Sequence, residues 1–307
     1  MILAVTGSTG FVGQAVLDEA SRWGVPIRAL ARREMDPRAG VAWQQGDLAD
    51  RDALAKLVAG AEAVLHIAGV VNAPDAAGFH LGNVAGTEAL LDAAEVAGVK
   101  RFVFVSSLAA REPGLSVYGR SKRDAEEAVQ LGKLAWTIVR PPAIYGPRDR
   151  EMLELFRAAR WGMVPLPPSG RASMLHVDDL ARLLLELTLP GEEPGDTAMQ
   201  RTLEPDDGRE GGWPHAEMAQ AIGCAVGRSK VWAPHLPRAL LATAARFDRL
   251  LRGKGAKLTP DRVGYMIHPD WVSRPDKAPP TGLWRAKIET RAGLADTARW
   301  YREHGWL

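Results

Sequence analysis

Short apolar runs and longer helix-patterned stretches take turns along the first half of the chain. The runs Ile2 to Val5, Pro26 to Ala31, Val41 to Gln45, Ala63 to Ile67, Arg101 to Val105 and Ala135 to Val139 read as strands of a sheet covered on both faces. Between them, apolar residues recur at helical spacing. Phe11 to Trp23 is one such stretch, stopped by Gly24. A second opens at Asn83-Val84-Ala85-Gly86-Thr87 and runs through Leu90, Leu91 and Ala94 to Gly98. A third continues from Tyr118 through Val129. Six strands alternating with helices predict an α/β fold, a Rossmann-type doubly wound parallel sheet. Residues 1–189 are assigned to this domain, with 141–175 contributing to the substrate side, and 190–307 to a smaller, mainly helical substrate-binding or lid domain.

The pattern loosens in the second half. Asp178 is placed to cap a helix whose apolar positions are Leu180, Leu183, Leu184 and Leu187. Pro190 to Pro214, rich in Gly, Pro, Glu and Asp, reads as a mobile loop around one short strand near Met199 to Leu203. Helices follow at Pro214 to Ile222, Leu236 to Leu251 and Arg291 to His304. Leu236 to Leu251 is apolar on one side (Leu240, Leu241, Ala244, Phe247, Leu250, Leu251). It is basic on the other (Arg238, Arg246, Arg249, Arg252). Asp270-Trp271-Val272 acquires no role from the pattern.

Composition narrows the class. A chain of 307 residues with net charge +2 and interspersed charges predicts no nucleic-acid partner. The single cysteine, Cys224, excludes a disulfide framework and a Cys-rich metal site, and reads as a small core residue. No metal is expected. The sequence enters its first strand without a signal peptide, and no apolar run approaches the roughly 20 residues of a membrane span. The expectation is a soluble cytoplasmic protein.

Chemistry concentrates at the strand ends. Thr6-Gly7-Ser8-Thr9-Gly10-Phe11-Val12-Gly13 forms a strand-to-helix turn. There Gly7 permits the sharp bend, Gly10 lets backbone approach a pyrophosphate, and Gly13 lets the helix pack on the strand. Arg32 ends the second strand where NAD-binding turns carry an acid. A guanidinium there suits a 2′-phosphate, favouring NADP(H) and leaving NAD(H) open. Asp47 is read as an adenine contact or as the N-cap of the helix from Arg51. His66 lies in a strand and reads as a packed histidine. Ala68-Gly69 would let backbone lie against a flat cofactor. Ser106-Ser107 end the fifth strand, where parallel sheets bind ligands. Tyr118 and Lys122, four apart, share one helix face, and an ammonium beside a phenol favours proton exchange near neutral pH.

Taken together, these residues resemble the short-chain dehydrogenase/reductase superfamily in its extended, epimerase-like branch. The matching elements are Thr6-Gly7-x-x-Gly10-x-x-Gly13, Asp47-Leu48, Ala68-Gly69, Asn83-x-x-Gly86-Thr87, Ser106-Ser107, Tyr118-x-x-x-Lys122, Arg140-Pro141 with Ile144-Tyr145-Gly146-Pro147, and His176-Val177-Asp178-Asp179-Leu180. By resemblance Gly7, Thr9, Gly10, Phe11, Val12 and Gly13 would hold the pyrophosphate, and Arg32 the 2′-phosphate. Asp47 and Leu48 would meet the adenine, and Ala68 and Gly69 the ribose side. Ser107 would polarise a carbonyl and Tyr118 would act as general acid/base. Lys122 would tune that phenol and hold the nicotinamide ribose, with Pro141 and Ile144 flanking the nicotinamide. Only ten residues separate Ser107 from Tyr118, a shorter segment than sugar-nucleotide epimerases carry.

Seven of the ten tryptophans lie after residue 160, so the second domain suggests a bulky apolar substrate. The expected activity is an NADP(H)-dependent reductase interconverting a ketone and a secondary alcohol on a steroid-, flavonoid- or long-chain-lipid-like molecule, such as a 3-ketosphinganine or keto-ceramide. Two alternatives stay open: a nucleotide-sugar epimerase/dehydratase with bound NAD, and a non-catalytic cofactor-binding assembly subunit. The basic-amphipathic stretch leaves peripheral membrane contact open, and the sequence does not separate a monomer from a homodimer.

Overall fold

The computed structural model describes residues 2–189, 198–253 and 258–307. Residues 190–197 of the predicted loop, and the side chain of Arg249, lie outside the described part. In chain order the strands are β1 (Leu3–Thr6), β2 (Ile27–Ala31), β3 (Val41–Gln45), β4 (Ala63–His66), β5 (Arg101–Val105), β6 (Ala135–Val139), β7 (Ala143–Tyr145), β8 (Arg171–Ala172), β9 (Met174–His176), β10 (Arg201–Leu203), β11 (Trp213–Pro214) and β12 (Asp270–Trp271). The helices are α1 (Phe11–Trp23), α2 (Arg51–Val58), α3 (Ala76–Phe79), α4 (Gly86–Val96), α5 (Val117–Leu131), α6 (Leu153–Arg160), α7 (Val177–Thr188), α8 (His215–Ala225), α9 (Arg238–Arg252), α10 (Pro260–Met266) and α11 (Thr290–Glu303).

Two compact units result. One comprises Met1–Pro141, Leu180–Pro205 and Lys277–Trp284. The other comprises Pro142–Asp179, Asp206–Asp276 and Arg285–Leu307. The first holds a seven-stranded parallel sheet in the order β10-β6-β5-β4-β1-β2-β3. The order reverses between β1 and β4, the switch point at which doubly wound sheets open a ligand crevice. The predicted strand near 199–203 is β10, seventh in this sheet. Leu54, Leu57, Leu90, Leu91, Ala125 and Val129, from α2, α4 and α5, bury the helical stripes against Phe102 and Phe104 of β5. Gly24 stops α1 as expected, in a left-handed conformation (φ +67°) with its N–H returned to the Ala20 and Ser21 carbonyls.

The second unit has a β7–β9 ladder and a small sheet ordered β11-β8-β12. Asp270-Trp271, mute in the sequence, is a strand paired with Arg171-Ala172. Its core gathers Phe156, Trp213, Ile222, Leu294 and Tyr301, with Trp300 and Trp306 packed against it. Trp161 and Trp232 remain exposed. Several tryptophans of the second half therefore staple a core.

Local corrections follow from hydrogen bonding. Asp50, not Asp47, caps α2, because its carboxylate reaches the Ala53 N–H. Asp178 lies within the first turn of α7 rather than ahead of it, and its N–H donates to His176 Nδ1. Asp179 instead accepts the Lys287 and Ile288 N–H groups. Cys224 is exposed, because α8 packs through Ala219, Ala221, Ile222 and Ala225. Among the described residues no helix is long and apolar enough to cross a membrane.

A Cβ on Gly13 would fall 2.2 Å from the Gly7 carbonyl oxygen and 2.5 Å from Ser8 Cα, both backbone atoms, whereas one on Gly114 would meet open space. Gly13→Ala is expected to cost about 3 kcal/mol and Gly114→Ala less than about 0.5 kcal/mol, read as urea midpoints.

Candidate active site

At the end of β1, Gly7 adopts φ +73°, and a Cβ there would stand 2.5 Å from the Ala68 nitrogen. The turns after β1 and β4 are thus in backbone contact. Gly10 opens α1 with no side-chain cap, and the first helical turn carries no acid. Thr9 and Gly10 are exposed, whereas Gly13 is buried. Open first-turn N–H groups, a dipole end and no competing carboxylate fit a diphosphate. These residues therefore suit a dinucleotide.

An open cleft of about 400 Å³ lies at the ends of β2 and β3, lined by Arg32, Gln45, Gly46, Asp47 and Asp50. Arg32 is exposed there. Asp47 turns one oxygen to the Ala49 N–H at 2.9 Å. Leu48 is half-buried, with its side chain over Gly86 and against the core.

A hydrogen-bonded chain ties these turns to α5. The Ala68 N–H donates to Thr6 Oγ1 (3.3 Å), which stands 2.6 Å from His66 Nδ1. His66 Nε2 lies 2.9 Å from Thr87 Oγ1, whose own proton goes to the Asn83 carbonyl at 2.6 Å. Thr87 must then accept from Nε2–H, and Thr6 donates to Nδ1. His66 is a neutral, fully buried imidazole, held down to about 3 by burial and then by Lys122. The packed-histidine reading holds. Asn83 Oδ1 accepts the Val70 N–H (2.6 Å), and Nδ2 donates to the Val70 carbonyl and to Ser121 Oγ. Ser121 donates to the Tyr118 carbonyl at 2.8 Å. Asn83 reaches both partners because residues His80–Ala85 form a π-helical turn leading into α4. That turn places the helix start earlier than the pattern suggested.

Ser116 caps α5 by accepting the Gly119 N–H, which sets Tyr118 in the first turn. Tyr118 is half-buried, its ring 6.1 Å from that of Phe79. Lys122 is buried; its Nζ donates to the Val105 carbonyl at 2.8 Å and lies 4.4 Å from the Phe104 ring centroid. Burial lowers the ammonium to about 8, against the opposing pull of Glu126. Ser107 Oγ accepts the Ala109 N–H at 3.2 Å, leaving the hydroxyl proton to be donated. A 3₁₀ turn, Leu108–Arg111, begins the short segment before Tyr118. Pro141 closes the first unit, its carbonyl accepting the Leu108 N–H, while Ile144 lies in β7 of the second.

Beneath this corner lies a network that pattern reading missed. Val105, Val139 and Leu203 are in register, so the residues after them cluster. Arg140 grips Glu126 with two bonds (2.8 and 2.6 Å) and reaches Glu204 at 3.4 Å. Arg111 meets Glu204 at 3.6 Å, and Ser106 donates to Glu126 at 2.5 Å. All five side chains are buried or nearly so. The signal was present in two charges: Arg140 directly follows an apolar run, and Glu126 stands four residues after Lys122 on the same helix.

A phosphate-ready glycine turn at the switch point of a parallel sheet, with a phenol and an ammonium on one helix nearby, defines an NAD(P)-dependent oxidoreductase. The chain belongs to the NAD dependent epimerase/dehydratase family, whose model matches residues 3–196. It is 36% identical over 324 residues to ceramide reductase of Caulobacter vibrioides, covering 100% of this chain and 96% of that one. To sterol demethylase protein B of Methylococcus capsulatus it is 29% identical over 353 residues, covering 100% of both. The crystal structure of gox2253 superposes with a TM-score of 0.78 at 26% identity, over 100% and 99% of the two chains.

Because its folded value of about 8 lies below the ordinary 10.5, Lys122 is cationic below pH 8 and neutral above it in the folded chain, while the unfolded chain still binds that proton. This group's contribution to stability therefore rises with pH between about 8 and 10.5. Steps that need the ammonium should weaken over the same interval. Lys122→Met should flatten both trends, read from urea midpoints and cofactor titrations between pH 7 and 10.

Proposed function

We propose that this protein is an NADP(H)-dependent reductase that interconverts a ketone and a secondary alcohol on a bulky apolar substrate of long-chain keto-lipid type, such as a keto-ceramide. The observation that carries the reading is the corner built by Ser107, Tyr118 and Lys122. It combines a half-buried phenol one helical turn from a buried ammonium with a strand-end serine whose hydroxyl proton is still to be donated. The full-length similarity to a ceramide reductase supports the substrate class.

When bound, the nicotinamide supplies a hydride to the substrate carbon. The protein's side chains would do the rest. Ser107 donates a hydrogen bond to the carbonyl oxygen. Tyr118 delivers the proton that turns the developing alkoxide into an alcohol. Lys122 spends one N–H on Val105, and its positive charge eases loss of the phenolic proton. The turn residues Gly7, Thr9, Gly10, Phe11, Val12 and Gly13 hold the diphosphate. Ala68 and Gly69 lie along the ribose side, and Pro141 flanks the nicotinamide. Arg32, at the mouth of the cleft with Asp47 and Asp50, takes the 2′-phosphate.

Tyr118→Phe should lower turnover of a long-chain keto-lipid by about 10²- to 10⁴-fold while NADPH affinity stays within about threefold. Full activity in that variant ends the mechanism. Turnover needing no added NADPH, with NAD retained through purification, would mark an epimerase instead.

Arg32→Ser should weaken NADPH about 10- to 100-fold and leave NADH nearly unchanged, measured by fluorescence titration. Tighter binding of NADH than NADPH by the unaltered protein would remove the assignment.

A further inference from the structure

Helix α9 packs through a narrow seam. Leu241 and Ala245 are buried against Val263, with Leu236, Leu258 and Ile267 alongside. Most of its remaining apolar residues face outward. Leu240, Ala244, Phe247 and Leu251 recur at i, i+4, i+7 and i+11, so they form one stripe along a 15-residue helix. Leu240, Phe247, Leu250 and Leu251 are 51%, 60%, 80% and 80% exposed, far more than a folded surface needs to show.

The same unit exposes a second apolar cluster that leads into this helix. A bridge between Met163 and Trp232, with Trp232 N–H bonded to the Gly162 carbonyl, gathers Trp161, Met163 and Trp232. Trp161 is 86% exposed and Trp232 67%. From there residues 232–236 run on to α9, pinned by Leu236 N–H to the Leu166 carbonyl.

Charge selects the partner. Between Glu217 and Asp248 the chain has no carboxylate, but it carries Arg228, Lys230, Arg238 and Arg246. Asp248 itself is engaged, meeting Arg252 at 3.2 Å and accepting the Leu258 N–H. A surface of exposed Leu, Phe and Trp among exposed arginines, on a stretch with no carboxylate between Glu217 and Asp248, matches an anionic lipid interface. There aliphatic and aromatic groups enter the acyl boundary and guanidinium groups stay at the phosphates.

We propose that α9, with Trp161 and Trp232, docks this protein on the surface of an anionic phospholipid bilayer. The surface stands apart from the reductase reading, since it requires neither Tyr118 nor the dinucleotide turn.

Flotation of the full chain with vesicles of equal phosphatidylglycerol and phosphatidylethanolamine tests it, with phosphatidylcholine vesicles as control. The protein should float with the anionic vesicles only, and less as salt rises. Phe247→Ser with Leu251→Ser, both exposed, should weaken binding at least about tenfold without moving the melting midpoint. Arg246→Glu should weaken it as well. Failure of the unaltered protein to float, or equal flotation of the serine variant, overturns the proposal. So does a dimer in light scattering that the serine variant dissolves without any vesicle binding, since the stripe would then cover a second copy of the chain.

Discussion

The structure of the first unit hangs on a contact that leaves no space for a side chain. The backbone after β1 touches the backbone after β4 at Gly7 and Ala68, and α1 sits on that same turn through Gly13. Only glycine tolerates both the left-handed angle at position 7 and the approach at position 13. Once these three segments are pressed together, the N-terminus of α1 points into the crevice where the strand order reverses. The strand order makes the switch point, and the close contacts at Gly7 and Gly13 set the anion site beside it.

Level strand ends extend the same logic across the sheet. Val105, Val139 and Leu203 lie side by side, so Ser106, Arg140 and Glu204 emerge together below α5. Two guanidinium groups and two carboxylates neutralise one another there with their side chains almost wholly buried. Glu126 sits four residues after Lys122 but gives both oxygens to Arg140. Its pull on Lys122 is therefore the weaker of the two influences, and burial prevails. The chain thus keeps an ammonium close to its point of discharge beside Tyr118. The paired charges beneath fix geometry more than they add stability, because desolvation cancels much of their attraction.

Much of this was readable beforehand, for physical reasons that differ by residue. Arg101–Val105 and Ala135–Val139 begin and end where their apolar runs do, because parallel strands inside the sheet are enclosed on both faces, whereas Val41–Gln45 is the half-exposed edge strand. The glycine spacing and the Tyr118–Lys122 pair are local, and local geometry is what sequence spacing encodes. Asn83 was legible as a motif but not as a clamp. Its reach to Val70 and Ser121 depends on a widened helical turn that no periodicity announces. The cap reading failed at Asp47 because the Asp50 carboxylate meets the Ala53 N–H instead, and at Asp178 because the helix already begins at Val177. Cys224 failed because it stands on the exposed side of α8, between buried Gly223 and Ala225.

Helix α9 marks the limit of pattern reading most clearly. Amphipathicity tells which side of a helix avoids water, but not whether the fold supplies a partner for all of it. In α2, α4 and α5 the apolar stripe meets a sheet and is buried across its width. In α9 the seam offered by α10 and its neighbours takes Leu241 and Ala245 only, leaving Leu240, Phe247 and Leu251 outside. A stripe wider than its seam costs nothing in the folded chain, because those residues are equally wet when unfolded. It does leave apolar area whose burial elsewhere would release about 25 cal/mol per Å². Surface of that kind persists in a well-behaved protein when something outside the chain covers it during function. The arginines interleaved with it narrow that something to a partner that is apolar within and anionic at its edge.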